Sequence, residues 1–297
     1  MAIKEHFSAA DSTSAATIQP SSDKKTKAKD IAQYNVVSVG KNASVYEAIH
    51  LMVVNDITGL PVVDGSRLVG IISEKDVLKL LYDVEFLAGA VGDYMTIDVL
   101  TFDEQDDLAD VCRCLIDNNF RRVPILRDES LVAIITRADL IRANKYRFRP
   151  VVPHDTSKSH PNFLLAKHVM TCGLLTVRRN TPVYTAMEII ANGNITGLPV
   201  VDDSMKLVGI VSEKDLLKLL CDPDARPGLV QDYMTRDIIS FDFDDSLFEV
   251  CHTLINNNFR RVPILDKGRL TGIISRRDII IYIMENRAHF FSQKPKN

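Results

Sequence analysis

The sequence predicts a mixed α/β (α+β) chain built from four copies of one small β-α-β-β-α unit, and three observations carry that prediction. Leu68–Asp76 matches Leu207–Asp215 at eight of nine positions, and Asn118–Leu126 matches Asn257–Leu265 at all nine; both matches lie 139 residues apart. Inside each half the motif repeats again: Ser73–Asp76 returns as Thr136–Asp139 and Ser212–Asp215 as Ser275–Asp278, each 63 residues on. Finally, every copy switches between short β-branched runs and apolar residues at helical spacing.

The first copy shows how each element arises. Val36–Val39 is a β-branched run and predicts a short strand. Ser44 and Glu47 have capping-box spacing, and Val45, Ala48, Ile49 and Met52 then form one apolar helical stripe. Leu60–Val63 predicts a strand with Pro61 near its start, where the missing donor matters least. Asp64-Gly65 marks a hairpin into Leu68–Ile72, and Ser73 opens a second helix carrying Val77, Leu78 and Leu81. In the third copy Thr181-Pro182 predicts a cap followed by proline at the first helical position.

A unit of this size buries too little surface to stand alone, so pairing by pseudo-two-fold symmetry is expected. The predicted organisation is a disordered tail over 1–30, repeats over 31–84 and 91–145, a linker over 146–163, repeats over 164–222 and 230–285, and a tail over 286–297. The linker is marked by its Pro, Ser and charged residues.

Composition narrows the function classes. Lys+Arg number 36 against 39 Asp+Glu, a net charge of −3, so a nucleic-acid or anionic-membrane partner has no global electrostatic basis. Only Lys24–Lys29 and Lys145–Arg149 are locally basic. No apolar run reaches a membrane span, and the start has no apolar core of a secretion signal. With five cysteines, an odd number, reduced thiols in a cytoplasmic protein are expected; Cys112 and Cys114 read as packed thiols on a helix rather than as a metal or redox pair. His154 and His160 lie in the linker without metal-ligand spacing. Phosphate-loop, dinucleotide and hydrolase motifs are missing, so no catalytic residues, metal or cofactor are expected.

The four units resemble CBS domains, and each pair resembles a Bateman module. The resemblance rests on Met95-Thr96, Met170-Thr171 and Met234-Thr235, on the proline-bearing strands at Pro61, Pro124, Pro199 and Pro263, and on the four Ser/Thr-x-x-Asp stretches. Four such stretches in order and register are far more specific than one. The tandem resembles stand-alone prokaryotic CBS proteins and the nucleotide-sensing gamma subunit of AMP-activated protein kinase. The resemblance implies an adenosine-bearing ligand and a regulatory role.

At each Ser/Thr-x-x-Asp stretch, helix capping alone is one reading. Yet capping boxes favour Glu or Gln at the third helical position, and all four copies have Asp. A short fixed carboxylate also suits a ribose diol. The resemblance assigns ribose to Asp76, Asp139, Asp215 and Asp278, with the hydroxyls of Ser73, Thr136, Ser212 and Ser275 beside them.

Arg121-Arg122 and Arg260-Arg261 precede the proline-bearing strands of copies two and four only. Strand alternation sends neighbouring guanidiniums to opposite faces, one toward a cleft and one toward solvent or the other module. Guanidinium forks suit phosphate. In the kinase gamma subunit a His-Arg pair binds phosphate at this place, so the Arg-Arg pairs are expected to bind phosphate, a surface ion pair being the alternative. Lys75, Lys214, Arg276 and Arg277 are possible helpers, and Val37, Val99, Thr176 and Ile239 lie near the strands that would wall an adenine.

The expectation is a non-catalytic regulator that binds AMP, ADP or ATP and passes a conformational change to a partner; the family resemblance implies a homo-oligomer such as a homodimer, or two modules packed into a disc. An interaction module with empty clefts and an S-adenosylmethionine sensor are the alternatives.

Overall fold

The computed structural model describes residues 26–83, 89–148, 164–193, 195–221 and 228–286. The first repeat runs β1 (Val39–Gly40), α1 (Val45–Val54), β2 (Gly59–Asp64), β3 (Arg67–Ser73) and α2 (Glu74–Asp83). The second runs β4 (Phe102–Asp103), α3 (Leu108–Asp117), β5 (Arg122–Arg127), β6 (Ser130–Thr136) and α4 (Arg137–Asn144). The third holds α5 (Val183–Asn192), β7 (Gly197–Val201), β8 (Leu207–Ser212) and α6 (Glu213–Cys221). The fourth holds α7 (Val230–Tyr233), β9 (Phe241–Asp242), α8 (Leu247–Asn256), β10 (Arg261–Asp266), β11 (Arg269–Ser275) and α9 (Arg276–Glu285).

The caps and turns follow the chemistry of their residues. Ser44 Oγ accepts from the Glu47 amide at 3.1 Å, and α1 buries the expected stripe of Val45, Ala48, Ile49 and Met52. Gly65 takes φ +64° in the β2–β3 turn, a conformation that favours glycine. The first strand is shorter than the β-branched run suggests, only Val39–Gly40 pairing in parallel with Val62–Val63. In the third repeat Pro182 is the N-cap rather than the first helical residue, because its ψ of 137° is still extended.

Within each repeat the long strands form an antiparallel hairpin, and the two hairpins of the first module meet at Arg67↔Ser130 to give the order β1-β2-β3-β6-β5-β4. The second module repeats the join at Lys206↔Arg269.

The segment leading into each repeat does not stay with that repeat. Gln33 pairs with Ile134 of the second, Thr96 with Ile71 of the first, Thr171 with Ile273 of the fourth, and Thr235 with Ile210 of the third. Each module is therefore cross-laced. Gly70, Gly209 and Gly272 make room for Met95, Met234 and Met170 of the crossing segments; a Cβ at Gly209 or Gly272 would lie 2.5 or 2.6 Å from the methionine sulfur. At the corresponding place in the second repeat both sides are alanine, Ala133 and Ala32.

This lacing sets two boundaries apart from the sequence expectation. Residues 26–30, expected in the tail, are built in: Ala28 is fully buried, and its amide donates to Asp106 O at 2.9 Å. Lys145–Phe148, overlapping the expected linker, form a 3₁₀ turn in which Phe148 packs 6.3 Å from the Tyr282 ring and is 5% exposed. The rest of the expected linker, His154 and His160 included, and most of both expected tails lie outside the described residues.

The modules pack through helices, repeat one on three and two on four. One core joins Val45, Ile49, Leu60 and Leu78 to Met187, Ile190, Leu198 and Leu217. The other joins Leu108, Leu115, Val123 and Leu140 to Leu247, Leu254, Val262 and Ile280. Each such side chain contributes about 1.5–3 kcal/mol on burial, so the stacked cores help to hold the two modules together.

Candidate functional site: laced clefts around a central cavity

The helices that follow β3, β6, β8 and β11 begin with the four Ser/Thr-x-x-Asp stretches, and each aspartate uses one oxygen as a cap. Asp76 Oδ2 accepts from the Ser73 amide at 2.9 Å and from its hydroxyl at 2.6 Å. Asp139, Asp215 and Asp278 accept in the same way from Thr136, Ser212 and Ser275. The capping role is thus real in every copy and occupies Oδ2 only.

The other oxygen faces the crossing segment, and here the copies differ. Thr171 donates to Asp278 Oδ1 at 3.0 Å, and Thr235 to Asp215 Oδ1 at 3.3 Å. Thr96 shares the cavity wall with Asp76. In the second repeat the crossing residue is Gln33, and Asp139 Oδ1 accepts instead from Arg142 at 2.6 Å. Each cleft therefore takes its carboxylate from one repeat and its crossing residue from the sister repeat.

Three of the clefts open toward a shared cavity of about 1020 Å³ between the modules. Asp76, Asp139 and Asp278 line it; Asp215 is not among the lining residues and is only 6% exposed. Eight arginines and one lysine line the cavity against six acidic residues, a local basic excess in a chain of net charge −3. Such a wall favours anions. Apolar residues of the crossing segments stand open: Leu100 is 50% exposed, Leu175 56% and Ile239 45%.

The two arginine pairs divide their tasks. Arg122 reaches across the module to Gly59 O and Thr58 Oγ1, and Arg261 reaches Gly197 O at 2.7 Å. Burial pulls these guanidiniums down to about 9 and about 10, which leaves them charged at neutral pH. Arg121 and Arg260 instead cross between modules. Arg121 meets Glu213 at 2.9 Å, and Arg260 grips Glu74 with two bonds of 2.8 and 3.1 Å. One arginine of each pair thus turns to the other module, one of the two alternatives that alternation leaves for it, and its neighbour turns to the sister repeat.

The possible helpers are also accounted for. Lys75 lines the cavity, whereas Lys214 pairs with Asp56. Arg276 donates to Asn258 Oδ1 at 2.8 Å and Arg277 to Ile116 O at 3.4 Å, so both line the cavity while bracing the wall. Val99 lies on the wall. Burial raises the Cys112 thiol to about 12 and also raises Cys251, as packed thiols behave. Among the described residues no cluster of His, Cys, Asp and Glu has metal-binding form, and no helix is long and apolar enough to cross a membrane.

Sequence reading missed Glu74, Glu213 and Arg142. A signal for the first two existed: aligning the repeats sets Glu74 and Glu213 against Arg137 and Arg276, an alternation of charge at the first helical residue.

The chain resembles known proteins along most of its length. The uncharacterized protein MJ1225 of Methanocaldococcus jannaschii is 30% identical over 193 residues, covering 64% of this chain and 68% of that protein. Its crystal structure, described as that of a proposed archaeal homologue of the gamma subunit of AMPK, superimposes with a TM-score of 0.78 at 22% identity, over 87% of this chain and 100% of that one. A conserved protein from Pyrococcus horikoshii superimposes with a TM-score of 0.59 at 24% identity, over 87% and 100% of the two chains. A second M. jannaschii protein, MJ1404, is 28% identical over 276 residues; they make up 86% of this chain but 62% of that protein. The CBS domain family matches residues 28–83, 91–146, 166–222 and 230–285. These matches coincide with the four laced repeats, and the chain belongs to the CBS-domain family.

Proposed function

We propose that this chain is a non-catalytic regulator that binds adenine nucleotides (AMP, ADP or ATP) in its laced clefts and passes the resulting shift to a partner protein or a second copy of itself. The observation that carries this reading is the wall: paired carboxylate clefts opening onto a cavity rich in arginine, in a chain that is acidic overall. In it, Asp76 and Asp278 hold ribose first, since both are half-buried and on the cavity wall. Asp139 and Asp215, with Thr136 and Ser212, follow with weaker affinity, because their carboxylates are more deeply buried. Leu100, Leu175 and Ile239, one from each of three crossing segments, offer apolar surface to the bases, and the phosphates turn to Arg121, Arg122, Arg260 and Arg261.

Transmission follows from the lacing. A ribose held by Asp278 beside Thr171 ties the fourth repeat to the segment that leads into the third, so ligand and module geometry are linked. A ligand moves such an equilibrium only by preferring one arrangement. The likeness to MJ1225, a proposed gamma-subunit homologue, supports the reading. Titration calorimetry with AMP, ADP, ATP and S-adenosylmethionine tests it. Saturable nucleotide heat that is lost in the Asp76→Ala/Asp278→Ala double variant is expected. Binding of S-adenosylmethionine alone moves the assignment to that ligand, and no heat with any of the four rejects it.

A further inference from the structure

Among the described residues, the most deeply buried carboxylates are not those of the four Ser/Thr-x-x-Asp stretches. Glu74 is 2% exposed and Glu213 is 0%. Both are the first residue of a helix, α2 and α6, directly after the capping serine. Each reaches across the module boundary to an arginine of the other module. Arg260 holds Glu74 through both guanidinium nitrogens, and Arg121 lies 2.9 Å from Glu213 and 3.8 Å from Glu74. The arginines themselves are 25% and 22% exposed and line the cavity. The hydrogen bonds are also incomplete: Glu213 Oε2 and an Arg121 nitrogen lie close but out of hydrogen-bond alignment.

A carboxylate in a guanidinium fork occupies the place that a phosphate would take. We propose that Glu74 and Glu213 are specificity-determining residues, resident competitors that a ligand's phosphate must displace from Arg260 and Arg121. This rests on the nucleotide reading for the identity of the ligand, and on the ion cluster alone for the competition. Displacing a buried carboxylate has a large cost, so weakly charged anions are rejected. Because each arginine belongs to one module and each glutamate to the other, the exchange also loosens the modules from each other.

The test compares wild type with Glu74→Gln/Glu213→Gln, which preserves shape. Adenosine, AMP, ATP and inorganic pyrophosphate are titrated into each. Removing the competitors should tighten AMP, ATP and pyrophosphate by about tenfold while leaving adenosine unchanged. Phosphate-bearing ligands that bind the variant no better than wild type, or an equal gain for adenosine, overturn the proposal. If neither protein binds any adenosine compound but the variant gains for pyrophosphate, the competition stands and the nucleotide reading falls. Should the double variant fold poorly, Glu74→Gln alone carries the same comparison. Its melting temperature should start below wild type and rise further on adding pyrophosphate.

Discussion

The Asp278 cleft and the Asp139 cleft are built from the same sequence motif and are set up in opposite ways. At Asp278 the second carboxylate oxygen accepts, among the described residues, from the hydroxyl of Thr171, a neutral partner. At Asp139 the same oxygen is held by Arg142 at 2.6 Å, the carboxylate is 4% exposed, and the crossing residue is Gln33. The packing beneath differs in step: glycine under methionine at Gly272 and Met170, alanine against alanine at Ala133 and Ala32. The same capping aspartate therefore leaves its second oxygen to a hydroxyl in one cleft and to a guanidinium in the other.

The comparison breaks most sharply at the aspartates. Asp278→Ala should weaken nucleotide binding at its cleft by about 100-fold or more, since a charged hydrogen-bond acceptor is lost, whereas Asp139→Ala should change nucleotide affinity little. Both remove a cap, so both should lose about 0.5–2 kcal/mol of stability; melting curves separate that shared cost from binding. Equal losses of binding in the two variants would show the clefts to be equivalent.

Arg142→Ala sharpens the same contrast in the other direction. It frees Asp139 Oδ1, and the weak nucleotide affinity of that cleft, read by calorimetry, should rise toward that of the Asp278 cleft. An unchanged affinity would move the cause from Arg142 to Gln33.

Packing gives a smaller effect. Gly70→Ala sets a Cβ 2.8 Å from Met95 Cγ and 2.9 Å from Thr96 O, so the crossing segment must shift; overpacking of this kind costs about 1–3 kcal/mol. Ala133→Gly should cost only about 0.5–1 kcal/mol, the ordinary penalty of glycine in a strand. Chemical denaturation of both variants checks the ratio. The smallest effect is in reactivity. Exposed Cys172 should be alkylated in the folded protein, while Cys112, with its thiol raised to about 12, and Cys251 should resist until unfolding. Peptide mapping after iodoacetamide treatment reads this directly.

Much of this was legible in the sequence because repeats compare a chain with itself. The four units, the hairpins and the capping aspartates follow from residues 63 and 139 apart. The arginine pairs were also visible, but their targets were not. Alternation predicts that Arg121 and Arg122 point apart, and it does not predict that one finds Gly59 O in the sister repeat and the other Glu213 in the other module. Both are contacts across more than sixty residues, and periodicity carries no information at that range. The crossing of the leading segments was hidden for the same reason: Thr96 and Ile71 pair through backbone atoms, which leave no mark in side-chain identity. Gly70 with Met95 and Ala133 with Ala32 are the exception, a size complementarity that can be read by aligning the repeats once the crossing is known.

The central claim is that laced clefts hold adenine nucleotides by a carboxylate on the ribose and arginines on the phosphates. The measurement that tests it most directly is calorimetric titration of AMP into wild type, Asp76→Ala/Asp278→Ala and Asp139→Ala at two salt concentrations. The account predicts saturable binding to wild type, its loss in the double variant, its retention in Asp139→Ala, and weaker affinity at the higher salt. Binding that survives in the double variant while Asp139→Ala abolishes it would contradict the account.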